Sequence, residues 1–204
     1  MALIAALGRP GLAAAADTDA VRGYLGIRIG GALLLDDDLN PHIEGSMLQQ
    51  LVGVGLGVNL GRHLSLELAG DGYELNLKLH GLPRGNTVAE YAIYTVVPQL
   101  RLRYPLRQGR LTPYALAGVG VSFTEINDQK EPVFDFDIDI DGNTWDVVGA
   151  LGAGVEYFVA SNIALGMEAK YLISRGHEIR LEGRTSDVKL DSLLFSFGLR
   201  IFFP

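Results

Sequence analysis

Leu51 to Leu60 reads LVGVGLGVNL. Val52, Val54, Leu56, Val58 and Leu60 alternate with Gly53, Gly55, Gly57 and Asn59. A period of two over ten residues specifies a β-strand with two chemically different faces. The pattern extends outward in both directions. Upstream, YLGIRIGGAL (24–33) sets Leu25, Ile27, Ile29 and Leu33 against Tyr24, Gly26, Arg28, Gly30 and Ala32. Downstream, LSLEL (64–68) sets Ser65 and Glu67 against three leucines.

Five more strands follow. Tyr91–Tyr104 opposes Gln99, Arg101 and Arg103 to Leu100, Leu102 and Tyr104. Thr112–Glu125 reads as a strand whose facing the alternation leaves open. Val147–Phe158 opposes Gly152, Gly154 and Glu156 to Leu151, Ala153, Val155 and Tyr157. Ile163–Ser174 opposes Glu168 and Lys170 to Leu165, Met167, Ala169 and Tyr171. Ser192–Phe203 opposes Ser196, Gly198 and Arg200 to Phe195, Phe197, Leu199, Ile201 and Phe203. Short links around 61–63, 105–110 and 160–162 alternate with long ones at 36–46, 70–89, 126–145 and 175–191. Near Gly70–Gly72 the apolar set shifts to Tyr73, Leu75, Leu77 and Leu79, which a bulge or a rim would explain.

The apolar face is either an interior or a lipid-facing exterior. Six glycines (Gly53, Gly55, Gly57, Gly152, Gly154, Gly198) share a face with Arg28, Glu67, Glu156, Glu168, Lys170 and Arg200. Glycine weakens an exposed strand, yet in a narrow lumen it leaves room for long charged side chains. One Lys or Arg pointing into mid-bilayer lipid costs about 2–4 kcal/mol, and the apolar faces of the clearest strands require none. The expected fold is therefore all-β: an eight-stranded antiparallel up-and-down transmembrane barrel with short periplasmic turns and long extracellular loops. Inside, Arg28, Arg101, Lys170 and Arg200 balance Glu67, Glu156 and Glu168. That predicts a near-neutral charge network and not a wide aqueous channel. The competing reading is a soluble sandwich or barrel with the faces reversed.

Composition agrees. The chain has 204 residues, 48% of them hydrophobic, a formal charge of −7 and no cysteine. The charge argues against a nucleic-acid partner, and disulfides and thiolate metal sites are excluded. No later segment reaches the ~18 consecutive apolar residues of a membrane-spanning helix. Residues 1–16, MALIAALGRPGLAAAA, read as a signal-peptide remnant ending in an A-x-A-like run. Residues 17–204 then form a single barrel domain.

VFDFDIDIDGN (133–143) begins like a calcium loop, with Asp137, Asp139 and Asp141 as ligands. Such a loop requires Glu at its twelfth position, which here is Val148, inside the sixth strand. The apolar–acidic alternation reads instead as the raised arm of a loop hairpin. Asp135, Asp137, Asp139 and Asp141 remain candidates for weak cation binding only. No metal site and no cofactor is expected. Residues 36–46 carry four acids and no Lys or Arg; residues 127–146 carry seven acids and one Lys. These segments make an acidic rim that holds divalent cations or repels anions. Trp145, Tyr91, Tyr94, Tyr104, Tyr114, Tyr157 and Tyr171 are candidates for interfacial girdles.

PYALAGVG (113–120), GAGVEY (152–157) and LFSFGLRIFF (194–203) carry a resemblance. The first is similar to a P-Y-x-x-x-G-x-G strand and the second to a G-x-G-x-E-Y strand of small eight-stranded outer-membrane barrels of the OmpA/OmpW-like superfamily. The third resembles the C-terminal signal read by the barrel-assembly machinery, through Phe197, Leu199, Ile201 and Phe203, with Pro204 as a departure. The resemblance implies a bacterial outer-membrane location. Its implied partners are outer-membrane lipid and lipopolysaccharide, the assembly machinery during insertion, and an extracellular or envelope protein. No wall-binding segment follows the barrel, so a wall-anchoring role is not expected.

Some barrels of this kind are lipid A deacylases using Ser and His. Here His42, His63, His80 and His177 fall in expected loops or turns. The one His-x-Ser match, His63-Leu64-Ser65, lies at a short periplasmic turn, the wrong end for outer-leaflet lipid. A non-enzymatic protein acting structurally or through its acidic loops is expected. The alternatives are a narrow solute channel and a lipid-modifying enzyme.

Overall fold

The computed structural model describes residues 21–35, 49–77, 89–127, 143–174, 177–181, 184–188 and 191–203. Seven strands run in order: β1 (Arg22–Leu34), β2 (Gln49–Asn59), β3 (Leu64–Leu77), β4 (Ala89–Arg103), β5 (Leu111–Asn127), β6 (Asn143–Ala160) and β7 (Ile163–Ser174). A separate two-stranded hairpin follows, β8 (His177–Leu181) with β9 (Arg184–Val188), and then β10 (Ser192–Phe203). Strands β1–β7 pair antiparallel with their sequence neighbours, and β10 pairs with both β7 and β1 to close an eight-stranded barrel. The shortest barrel strand has 11 residues and the longest 18. Each meets the ~9–11 residues a tilted strand needs to cross a bilayer.

Facing follows the period-two pattern. Ile27, Ile29, Val52, Leu56, Leu102, Leu151, Met167 and Phe197 are exposed on the outside. Arg28, Glu67, Arg101, Glu156, Glu168, Lys170 and Arg200 are buried inside. The barrel is therefore apolar outward and charged inward, the polarity that lipid imposes. The fifth strand, left open by its sequence, turns Thr112, Tyr114 and Leu116 into the lumen and Val119 and Val121 outward.

Three expectations change. No bulge or rim interrupts the third strand. β3 runs on to Leu77 in continuous register with β4, and Ser65, Glu67, Ala69, Asp71 and Tyr73 all face inward. The apparent shift arises because the lumen itself becomes apolar at that level. The irregularity instead lies between Phe158 and Ala160 in the β6–β7 ladder. Trp145 belongs to β6, paired with Phe123 of β5, and not to the preceding link. The link expected at 175–191 contains the β8–β9 hairpin.

Pro98 sits inside β4. The β4–β5 ladder is interrupted there, between Val96↔Val121 and Gln99↔Gly118, because proline has no N–H to donate.

Candidate functional site

The lumen is built in layers. At the end carrying the short turns, Tyr24, Phe158, Ala164 and Phe202 form a buried apolar cluster. Tyr24 and Phe158 each pack on Phe202 with ring centroids 5.2 Å apart. Toward the opposite end, Ala32, Leu51, Tyr73, Ile93, Val97, Val148, Ala150, Leu172 and Leu194 form a second cluster. The charges lie between them.

Glu67 on β3 is the hub. Its carboxylate accepts from Tyr24 Oη at 2.7 Å, Gln99 Nε2 at 2.9 Å, Arg101 Nη1 at 3.0 Å and Arg28 Nη1 at 3.2 Å. Arg200 Nη2 stands 3.5 Å away. Asp71, two inward positions along the same strand, accepts from Arg28 Nε and Lys170 Nζ, each at 2.6 Å. Glu156 on β6 pairs with Arg101 Nη2 and Arg200 Nη1, each at 2.9 Å. Glu168 on β7 accepts from Tyr114 Oη at 2.8 Å and lies 3.5 Å from Arg200 and 3.7 Å from Lys170. The Arg101 guanidinium also stacks 3.7 Å over the Tyr114 ring, a favourable cation–π geometry.

All seven charges read from the sequence thus meet in one network. The structure adds Asp71 and Arg103, both buried, and the hydroxyls of Tyr24 and Tyr114. Tyr114 is therefore a lumen residue and not part of a girdle, since only 5% of it is exposed. With Asp71 and Arg103 included, five cations face four carboxylates, leaving one formal positive charge in excess. Arg103 is the weakly held member. Its Nη2 lies 3.6 Å from Glu156, and its buried Nη1 has no hydrogen-bond partner.

The glycines explain how so many long side chains fit. A methyl at Gly53 would strike Asp71 and Arg28, and one at Gly55 would meet Glu67 Oε1. Gly57 lies opposite Tyr24 in the β1–β2 register, and Gly154 lies opposite Tyr114 in the β5–β6 register. A methyl at either would collide with the phenol it faces. The tyrosines can therefore lie across a neighbouring strand and carry their hydroxyls to Glu67 and Glu168.

Among the described residues, two small pockets of about 10 and 20 Å³ lie in the lumen, the first beside Arg28, Glu168 and Arg200 and the second beside Tyr73, Thr95 and Ser174. Each has room for about one water.

Among the described residues no group of three or more His, Asp or Glu is arranged to hold a metal ion. Asp135, Asp137, Asp139 and Asp141 lie outside the described residues. Val148, the twelfth position of the calcium-loop alignment, faces the lumen in the apolar cluster, so that loop lacks its terminal ligand. His63 and Ser65 do not form a catalytic pair. Ser65 is buried and donates to Asn59 Oδ1 at 2.8 Å, while the exposed His63 ring sits 6.5 Å from that of Tyr104. His42 and His80 lie outside the described residues. Phe197 and Phe203 of β10 are exposed on the outer surface, and Leu199 and Ile201 are half-buried between them.

The profile of the outer membrane protein beta-barrel domain family matches residues 2–200. The chain belongs to this family. Its place is the bacterial outer membrane. No curated protein matches its sequence. Neisserial surface protein A has a similar structure, with a TM-score of 0.60, 16% identity, and coverage of 91% of this chain and 100% of that one. A major outer membrane protein of Thermus thermophilus gives 0.57 at 12% identity, covering 90% and 100%. Ail of Yersinia pestis, solved with the heparin analogue sucrose octasulfate, gives 0.51 at 13% identity, covering 89% and 99%. These likenesses concern the fold.

Two belts of exposed aromatics fit the membrane assignment. Tyr94 and Trp145 lie toward the long loops, and Tyr104 and Tyr157 toward the short turns. Aromatic belts at both interfaces are a feature of outer-membrane barrels.

Proposed function

We propose that this barrel is a non-conducting, non-catalytic scaffold of the outer membrane that acts through its long loops. The observation that carries the reading is the filled lumen. A network of nine charged side chains lies between two apolar clusters, and the two pockets described beside it hold only about 10 and 20 Å³. A hydrated solute has no path through such packing without breaking several buried ion pairs.

The loops give the scaffold its interaction chemistry. Residues 36–46 and 127–146 together carry eleven acids against one Lys. A surface of that sign favours cationic or cation-bridged partners. The sulfated ligand solved on Ail is therefore a poor guide to this chain's partner. The burial of Ser65 against Asn59, with His63 exposed, supports a non-enzymatic role.

A liposome-swelling assay with a small neutral sugar tests the reading. Vesicles holding the folded protein should swell no faster than empty ones. Swelling that scales with protein content would establish the channel alternative instead.

A further inference from the structure

The long links and the short turns differ in charge. The long links include the acidic segments, whereas the first two short turns carry arginine and none of the three carries an acid. Arg62 in the first turn, and Arg107 and Arg110 in the second, are exposed. Arg22, at the start of β1, donates to the Ser161 carbonyl of the third turn at 2.9 Å. Residues 58–63, 103–111 and 159–163 contain no Asp or Glu.

The same turns expose apolar side chains. Leu60 is 49% exposed and Leu106 39%, each within two residues of an exposed arginine. Tyr104, 65% exposed, adjoins them. Leucine and tyrosine beside arginine at a turn tip are ill suited to bulk water and well suited to the headgroup zone. There the apolar part enters the acyl boundary and the guanidinium reaches the phosphate.

The second turn is also rigid. Arg107–Gly109 forms one 3-10 turn, Gly109 N–H donates to the Leu106 carbonyl, and Phe158 N–H donates to the Arg110 carbonyl from β6. Arg107 and Arg110 are thus held by a fixed backbone. Guanidinium forks suit phosphate oxygens better than an ammonium point charge does.

We propose that Arg62 and Arg107, one on each of the first two turns, form a basic collar that binds the phosphate headgroups of anionic phospholipid in the periplasmic leaflet. The collar anchors the turn end of the barrel in that leaflet. Basic residues near an anionic membrane surface attract it strongly enough to give roughly a fivefold preference per residue at contact.

The test uses the full chain folded in mixed micelles of phosphatidylglycerol and phosphatidylcholine, with retained lipid counted by native mass spectrometry. Wild type should retain phosphatidylglycerol roughly fivefold over phosphatidylcholine. The double variant R62Q/R107Q should retain both alike, and R62K/R107K should keep most of the preference. Heat-dependent gel mobility checks that each variant is folded. If the double Gln variant fails to fold, R62Q and R107Q alone should each lose part of the preference. Equal retention by wild type, or an unchanged preference in the folded Gln variants, would overturn the proposal. So would displacement of the lipid by inorganic phosphate beyond that caused by chloride at equal ionic strength, because the ligand would then be free phosphate.

Discussion

Replacing Glu67 with Gln removes the charge that organises the lumen while keeping the side-chain shape. In the folded protein the Glu67 carboxylate faces three guanidiniums and accepts from Tyr24 and Gln99, with 1% of the residue exposed. The substitution raises the formal excess of buried positive charge from one to two. It also points a new NH2 donor at three guanidiniums, which can only donate. Breaking a buried pair by removing one partner costs about 3–5 kcal/mol, so E67Q should lose about that much. Arg103 supplies the internal comparison. It has one distant carboxylate contact and an unsatisfied buried nitrogen. R103M removes the excess charge, and its cost should stay within about 1 kcal/mol because relief of desolvation offsets the weak pair. Urea unfolding of protein reconstituted in phospholipid vesicles measures both. Trp145, the single tryptophan and exposed to lipid, provides the fluorescence signal. A wild-type midpoint for E67Q, or an equal loss for R103M, would refute the reasoning that the network is held by charge balance around Glu67.

Gly57→Ala and Gly154→Ala should each destabilise the barrel by about 1–3 kcal/mol, the usual range for overpacking, because the new methyl meets Tyr24 or Tyr114. Gly70→Ala is the control: its methyl would lie 3.6 Å from Val54, and the same unfolding assay should show little change. Tyr24→Phe deletes the shortest hydrogen bond to Glu67; a loss of about 1–3 kcal/mol is expected for leaving buried groups without their partner. Removing calcium with a chelator should leave the unfolding midpoint of the wild type unchanged, since the calcium-loop alignment has Val148 where a ligand is required. A drop in the midpoint would contradict that.

The barrel was legible because its strands separate two chemistries at a strict period of two. Ile27 against Arg28, or Leu66 against Glu67, fixes a face without reference to any neighbour. β5 resisted this reading because Ala115, Ala117, Gly118 and Gly120 are small on both faces; only its partners show that Tyr114 points inward. Asp71 was missed for a related reason. The lumen turns apolar one layer beyond it, so Tyr73 reads like a lipid-facing residue and the apolar–polar alternation breaks before the strand ends. Continuing the parity of Ser65, Glu67 and Ala69 would have reached Asp71. Arg103 carries the same signal through Gln99 and Arg101: its parity puts it on the charged face, where it belongs to the charge balance. Tyr114 resembled a girdle residue because an aromatic side chain reads alike in either place. What sends it inward is Gly154, 40 positions later, which no local pattern reveals. The β8–β9 hairpin alternates weakly and is rich in charge, so it reads as a loop.

The most direct test of a closed lumen is single-channel recording of the purified chain in a planar bilayer. The ion pairs around Glu67 and the apolar clusters on either side predict a flat baseline, with no discrete conductance steps across a range of applied voltage. A stable, ohmic conductance reproduced in independent insertions, and altered by E67Q, would mean that ions pass along the network. The barrel would then have to be understood as a channel.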